Sequence, residues 1–336
     1  MTWLTDLAEQ ARSVMPPAMW EHVEAGSWEG VSASEAAAAW HDVRFAPHVL
    51  RSGGAVDTST QLLGSPVATP IAIAPTSLQR VAHPDGERAV ARGAARAGAL
   101  HVLSSNSGTR FAELEADGPW WLQVYVPPDR VSLEPVLLAA RDAGAQALVL
   151  TVDTPVPGTK HRPVETDWDG IDLTWFRCNF DDPATTRWAR DLGPDDIGWL
   201  AGVGLPVVVK GVLRGDDADR CVAAGAAAVW VSNHGGRQLD RAVTTRAALP
   251  EVVDAVGGRT PVYVDGGIRS GLDALAALAL GADAVFVGRP ALHALAVAGA
   301  DGVARLLGEL TDELAEALLL AGCHGLADAP GVAACP

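Results

Sequence analysis

Asn233, His234 and Arg237 fall within one short run, S-N-H-G-G-R-Q-L-D, from Ser232 to Asp240. An imidazole titrates near neutrality and can take a proton, and a guanidinium presents a planar fork matched to a carboxylate. Gly235 and Gly236 between them let the backbone turn sharply or come close to a ligand. Together these types suit proton abstraction from an anionic substrate. Taken on this run alone, His234 reads equally as a hydrogen-bonded structural histidine. A second run, Y-V-D-G-G-I-R-S-G-L-D, and the later F-V-G-R-P carry different chemistry. Gly266, Gly267 and Gly288 leave backbone N–H groups open, Arg269 and Arg289 add charge, and Ser270 with Asp273 can cap the following helix. Such turns favour a phosphate; ordinary glycine-rich turns are the alternative.

Both runs follow apolar segments, and so do most other polar residues of interest. Eight strands are expected, at 70–75, 100–104, 120–125, 147–152, 206–210, 228–232, 261–265 and 284–287. At or just past their ends stand Thr76, Ser104, Gln123 with Tyr125, Thr151 with Asp153, Lys210, Asn233 with His234, Asp265 and Arg289. Lys210 and Lys160 are the only lysines among 25 basic residues, so lysine is not a generic surface charge here.

The strands recur with an Ala-rich helix between them, and Gly98, Gly144, Gly225 and Gly281 each sit where a helix C-cap belongs. Each following strand is apolar enough for burial on both faces. Eight such units predict an α/β fold, a (β/α)8 TIM barrel occupying 1–336 as a single domain; a doubly wound open sheet is the alternative. Residues 1–69 form a helical and extended lead-in, broken at Pro16 and Pro17, with Ser32-x-x-Glu35 as a capping box and extended chain over 45–69. Extra helix is expected from about Leu292 to Ala321. The stretch 154–205 after the fourth strand is too long for a plain connection. With Trp168, Trp175, Phe176, Phe180, Trp188 and Trp199 it reads as a lid giving the substrate an apolar wall, or as a subunit contact.

Composition narrows the partners. A net charge of −16 argues against nucleic acid and acidic membranes. Charged residues interrupt every apolar run, so no membrane span is expected. Cys178, Cys221, Cys323 and Cys335 are scattered without metal or redox spacing, which points to free thiols in a cytoplasmic protein with no metal site.

With these residues in place, the chain resembles the FMN-dependent 2-hydroxy-acid oxidase and dehydrogenase family, which includes glycolate oxidase, lactate oxidase and mandelate dehydrogenase. The resemblance runs from about Pro16 to Leu326 and rests most on S-N-H-G-G-R-Q-L-D. P-I-A-I-A-P-T at Pro70, A-H-P-D-G-E at Ala82, Q-V-Y at Gln123, T-V-D-T-P at Thr151 and V-V-K-G at Val208 support it. It implies FMN, with His234 as catalytic base, Asp153 stabilising its imidazolium, Arg237 on the substrate carboxylate and Tyr125 hydrogen-bonding the substrate. Lys210 would sit by the flavin N1/C2 carbonyl. Pro75, Thr76, Ser77, Ser104, Gln123, Thr151 and Ser232 would lie at or near the flavin ring, and Asp265, Gly266, Gly267, Arg269, Gly288 and Arg289 at the ribityl phosphate. The substrate would turn its Cα–H toward flavin N5, with O2 or another acceptor taking the electrons onward. A homo-oligomer, a tetramer, is also implied.

Three positions depart from the family pattern. His22 stands where a tyrosine normally touches the substrate carboxylate, and Ser77 replaces a small residue beside the flavin. Lys160 stands where a second arginine completes the carboxylate clamp, with Arg162 two residues away as the alternative. The leading expectation is oxidation of a 2-hydroxy acid, with a bulky or aromatic side chain, to the 2-oxo acid. An FMN barrel of isomerase or nucleotide-oxidising chemistry, or a non-catalytic flavin-binding protein, is the alternative.

Overall fold

The computed structural model describes residues 3–51, 54–161, 168, 170–181 and 188–334. Eight parallel strands close into a barrel: β3 (Ile71–Ile73), β4 (His101–Ser104), β5 (Trp120–Val124), β6 (Leu148–Thr151), β7 (Val207–Val212), β8 (Ala228–Val231), β9 (Val262–Asp265) and β10 (Ala284–Val287). They run in sequence order around the ring, and β10 pairs with β3 to shut it. The expected (β/α)8 barrel is therefore the fold, and the open sheet is excluded. The interhelical glycines behave as expected: Gly98, Gly144, Gly225 and Gly281 all take positive φ, between 63° and 98°.

Strand periodicity explains how the barrel carries a site. Ala72, Val102, Trp121, Val149, Val208, Trp230, Tyr263 and Phe286 share one buried cluster inside the ring. Four bulky aromatics meet four small side chains there, so large and small interdigitate; Trp230 and Phe286 have ring centroids 3.8 Å apart. Side chains alternate faces along a strand, so the next inward residue on each is two positions on. Those residues are Ala74, Ser104, Gln123, Thr151, Lys210, Ser232, Asp265 and Gly288. One step along six of the eight strands converts an apolar plug into a polar floor, with Ala74 and Gly288 completing it.

The hairpin β1 (Thr60–Leu62) and β2 (Ser65–Val67) closes the opposite mouth, with Leu62 and Val67 joining the interior cluster. The sequence reading has only extended chain there. Outside the ring lie α4 (Gln79–Ala82), α5 (Gly86–Arg96), α6 (Glu134–Asp142), α7 (Pro194–Ala201), α8 (Gly215–Ala223), α9 (Thr245–Val256), α10 (Gly271–Ala279) and α11 (Arg289–Leu320). Between β4 and β5 the expected helix shrinks to a 3-10 turn, Phe111–Glu113. Trp199 lies on α7, an ordinary barrel helix, so it belongs to the scaffold and not to the excursion after β6.

α11 bends at Ala298 and Gly299 and packs along α5. It is long and apolar enough to cross a bilayer on length and composition alone, contrary to the expectation above. Its most apolar window is 56% buried in the protein, which accounts for the hydropathy. Cys178, Cys221 and Cys323 are free thiols, and Cys335 lies outside the described residues.

The lead-in forms α1 (Trp3–Val14), α2 (Pro17–Glu24) and α3 (Val31–Glu35), then a 3-10 turn, Ala38–Asp42. Ser32 does not cap α3. It sits inside the first turn, and its hydroxyl donates to the Ala242 carbonyl at 3.2 Å. The cap is the Asp240 carboxylate, which accepts from the N–H groups of Glu29, Gly30, Val31 and Ser32 at 2.9–3.3 Å. A carboxylate there satisfies orphan donors and opposes the positive end of the helix. The capping box expected behind β9 does form, between Ser270 and Asp273.

Candidate active site

The polar floor opens into a cavity of about 480 Å³ at the C-terminal end of the strands. Every described residue assigned from sequence to catalysis, substrate or flavin lines it except Asp153 and Ser232, which bond the lining residues His234 and Lys210. Arg162 lies outside the described residues.

At its centre is a buried ionic group. Lys210 Nζ lies 3.0 Å from Asp265 Oδ2 and donates to Ser232 Oγ at 2.8 Å. Ser232 Oγ in turn donates to Asp265 Oδ1 at 2.7 Å. Asp265, which the resemblance puts at the ribityl phosphate, pairs with Lys210, and its charge also acts on Arg289. Ser104 donates to Gln123 Oε1 at 3.2 Å, and Gln123 Nε2 to Thr151 at 3.0 Å, so one hydrogen-bonded row crosses three strands.

His234 follows β8 with φ 56°, a left-handed conformation unusual for a side-chain-bearing residue. Its N–H donates to Ser232 Oγ at 3.0 Å, which ties the turn to the Lys210 group. Its Nδ1 lies 2.9 Å from Asp153 Oδ1, and its Nε2 lies 3.5 Å from the Tyr125 hydroxyl. Burial works against the charged form of Asp153, yet the His234 imidazole, Lys210 and the Thr154 hydroxyl hold its carboxyl below the usual range. Burial and the nearby Asp153 raise the Tyr125 phenol, so it stays protonated.

Arg237 closes one end. Its Nη1 donates to the carbonyls of His22, Val23 and Ala25 at 2.6–3.1 Å, capping the end of α2, and its Nη2 meets His22 Nε2 at 3.3 Å. Among the described residues nothing bonds its Nε. Burial, then Arg237 and Lys160, push the His22 imidazole down to about 4. His22 is therefore a neutral acceptor orienting the guanidinium. Gly158 lets the chain after β6 pass close by: a Cβ there would stand 2.3 Å from the Arg237 carbonyl. That places Lys160 in the cavity wall, its Nζ held by the carbonyls of Ala25 and Arg237 at 3.5 and 3.4 Å. Trp188 stacks on Tyr125 with centroids 4.8 Å apart, and Trp168 meets His22 edge-on. Trp175 instead lies under Arg80, away from the cavity.

The other end collects unneutralised positive charge. Arg289 Nε donates to the Val23 carbonyl and Nη1 to that of Gly235, both at 3.0 Å. Its Nη2 is buried without a partner. Burial lowers Arg289, and burial with Arg289 lowers Arg269; Glu24, 3.9 Å from Arg289, with Asp265 and Asp273, compensates only in part. The turn leading into Arg269 is fixed by Trp40 Nε1 and Thr245 Oγ1, which both donate to the Gly266 carbonyl. Gly267 is glycine for a packing reason, since a Cβ would fall 2.0 Å from the Ala36 carbonyl. A buried, unpaired guanidinium N–H beside a second buried guanidinium needs an anion. The set fits a flavin mononucleotide: Arg269 and Arg289 would hold its phosphate, and Lys210 with the polar floor would hold its ring. Thr154, Gln238 and Asn106 also face or support the cavity and were not assigned from sequence, although Thr154 and Gln238 adjoin residues that were.

Comparison with known proteins agrees with this geometry. Residues 11–332 match the family model described as FMN-dependent dehydrogenase. The chain is 39% identical to glycolate oxidase 1 of Zea mays, across 95% of this chain and 91% of the relative. It is 38% identical to L-lactate oxidase of Nostoc sp., across 97% and 95%. Among solved structures, mandelate oxidase with (S)-2-phenylpropionate superposes with a TM-score of 0.91 at 40% identity, covering 98% of this chain and 97% of the other.

Proposed function

Because the chain belongs to the FMN-dependent dehydrogenase family, we propose that it oxidises a 2-hydroxy acid with a bulky or aromatic side chain to the 2-oxo acid. FMN supplies the two-electron acceptor when bound. The observation that carries this reading is the His234–Asp153 pair opening toward Tyr125 in a cavity flanked by cations on two sides.

In this reading Arg237 and Lys160 hold the substrate carboxylate, which fixes the hydroxyl near His234 Nε2. The imidazole accepts the hydroxyl proton, and the buried Asp153 carboxylate stabilises the resulting imidazolium through Nδ1. The Cα hydrogen and two electrons, lost together or in turn, would pass to FMN when it is bound, leaving the 2-oxo acid. Lys210, fixed by Asp265 and Ser232, offers positive charge where negative charge builds. Trp188 on Tyr125 gives the side chain a flat apolar wall, which supports an aromatic substrate and a lid role for the segment carrying it. O2 or another acceptor reoxidises the enzyme. We place it in the cytoplasm, on its scattered free thiols, and as a homo-oligomer, on the family resemblance.

Anaerobic mixing with glycolate, L-lactate and (S)-mandelate tests the reading. (S)-mandelate is expected to bleach the flavin fastest, and His234→Ala to retain flavin while slowing reduction by at least ~100-fold, the lower range for loss of a general base. Near-normal reduction in that variant removes His234 from the chemistry, and a preference for glycolate rejects the aromatic assignment.

A further inference from the structure

His234 can act as a base only if its single hydrogen sits on Nδ1 and Nε2 is bare. Asp153 Oδ1 takes two donors, His234 Nδ1 at 2.9 Å and Thr154 Oγ1 at 3.0 Å, while Oδ2 is buried without a partner. The Thr154 hydroxyl also lies 3.3 Å from His234 Nδ1. It has one hydrogen and two lone pairs. One lone pair is occupied, because Gln238 Nε2 donates to it at 2.9 Å. Tyr125 is a further hydrogen-bond neighbour of this hydroxyl, but its phenol stays protonated and can donate to the second lone pair, which leaves the Thr154 hydrogen to Asp153 Oδ1 or His234 Nδ1. The second choice would force the imidazole hydrogen onto Nε2, where a substrate proton has to go. It would also strip both donors from a buried carboxylate.

We propose that Thr154, oriented by Gln238, is a positioning residue that keeps the imidazole hydrogen on the Asp153 side and leaves Nε2 bare toward the cavity. This rests on the reading of His234 as the base. Gln238 adjoins Arg237, so the arm that holds the substrate carboxylate and the group that sets the proton belong to one short turn. The other charged or titratable groups about His234 hold no hydrogen bond to Nδ1: Tyr125 faces Nε2, Lys210 acts on Asp153 from below, Arg289 binds the Gly235 carbonyl, and Arg237 and Lys160 line the same cavity.

The test uses FMN-loaded, full-length protein with Thr154→Val, Thr154→Ser and Gln238→Leu. In ¹⁵N-histidine spectra, wild type should show His234 with hydrogen on Nδ1 alone, and Thr154→Val a second population with hydrogen on Nε2. Anaerobic flavin reduction by (S)-mandelate should lose about tenfold in maximal rate in Thr154→Val, the lower end for a hydrogen bond to a charged group. Half-saturation should stay within about twofold, and Thr154→Ser should restore the rate. Gln238→Leu keeps the hydroxyl but frees it, and should move both readouts the same way by less. A single Nδ1–H form with wild-type maximal rate in both Thr154→Val and Gln238→Leu overturns the inference. Should His234→Ala also reduce normally, the base assignment itself fails; should His234→Ala be slow, only the role of Thr154 does.

Discussion

Lys160 Nζ and Arg237 Nη1 donate to the same acceptor, the Ala25 carbonyl, at 3.5 and 3.1 Å. Neither forms an ion pair among the described residues, so two cations share one neutral oxygen. Burial, then Arg237 and Arg289, push the Lys160 ammonium down to about 8; burial with Arg289 pushes Arg237 down to about 10. An arriving carboxylate would relieve that repulsion.

Lys160 therefore gives substrate binding a pH limit. Below about 8 it is charged and attracts the carboxylate; above it is neutral. Half-saturation for (S)-mandelate should rise as pH passes through that value, and Lys160→Arg should move the limit upward. Lys160→Met should raise half-saturation roughly 10- to 150-fold at neutral pH, the scale of one charged hydrogen bond. A pH-independent half-saturation in wild type, or an unaffected Lys160→Met, would assign the clamp to Arg237 alone.

The cofactor end depends on two buried guanidiniums that nearby carboxylates offset only in part. Replacing both Arg269 and Arg289 by Ala should yield mostly apoprotein that FMN restores only at high concentration, since two charge-assisted contacts to phosphate are lost. Riboflavin binding, which lacks the phosphate, should change far less. Flavin fluorescence titration reads both, and equal loss for the two ligands would place the phosphate elsewhere.

Lys210 cannot be removed cleanly. Lys210→Met leaves Asp265 buried and unpaired, at a cost of about 3–5 kcal/mol. Urea unfolding should show that loss, and adding Asp265→Asn should recover most of it. If the single variant is as stable as wild type, the ion pair is not what holds the floor.

Acid stability should report two neutral imidazoles. Burial pushes His101 down to about 4 from an ordinary 6.5, and His22 falls to the same value. A folded-state value below the unfolded one means stability complete above 6.5 and lost as pH falls through 4. The histidine share of the urea midpoint should be constant just above pH 6.5 and fall between 6.5 and 4, so the decline over that window should be shallower in His101→Leu. Parallel declines would mean His101 is not buried neutral.

The strands and the rim were legible because both follow local rules. Tyr263 and Asp265, or Val208 and Lys210, are two residues apart, and alternation alone puts the first in the plug and the second in the floor. The aromatic run at 154–205 was legible only in part, because nothing local separates Trp188 on the cavity from Trp175 under Arg80 or Trp199 on α7. Of the long-range partners, the Asp153–His234 pair was legible only through the family resemblance, and the others were not. Ser32 and Glu35 have capping-box spacing, yet Asp240 takes the cap from across the molecule. Arg237 reads as a free carboxylate fork, yet half of it closes α2. Asp265 reads as part of a phosphate turn, and nothing local shows the Lys210 ammonium 3.0 Å away.

The Asp240 cap also bears on the order in which the molecule can be made. α3 takes its terminal acceptor from Asp240, and Ser27 N–H bonds the Gly236 carbonyl at 2.9 Å. On a ribosome the lead-in emerges first, but both partners lie more than two hundred residues behind it. At about 5–20 residues per second that wait is on the order of 10–40 s. Through that interval the first forty residues have no seat, and their apolar faces are open to chaperones. The reacting pocket receives its last wall from the part of the chain born first.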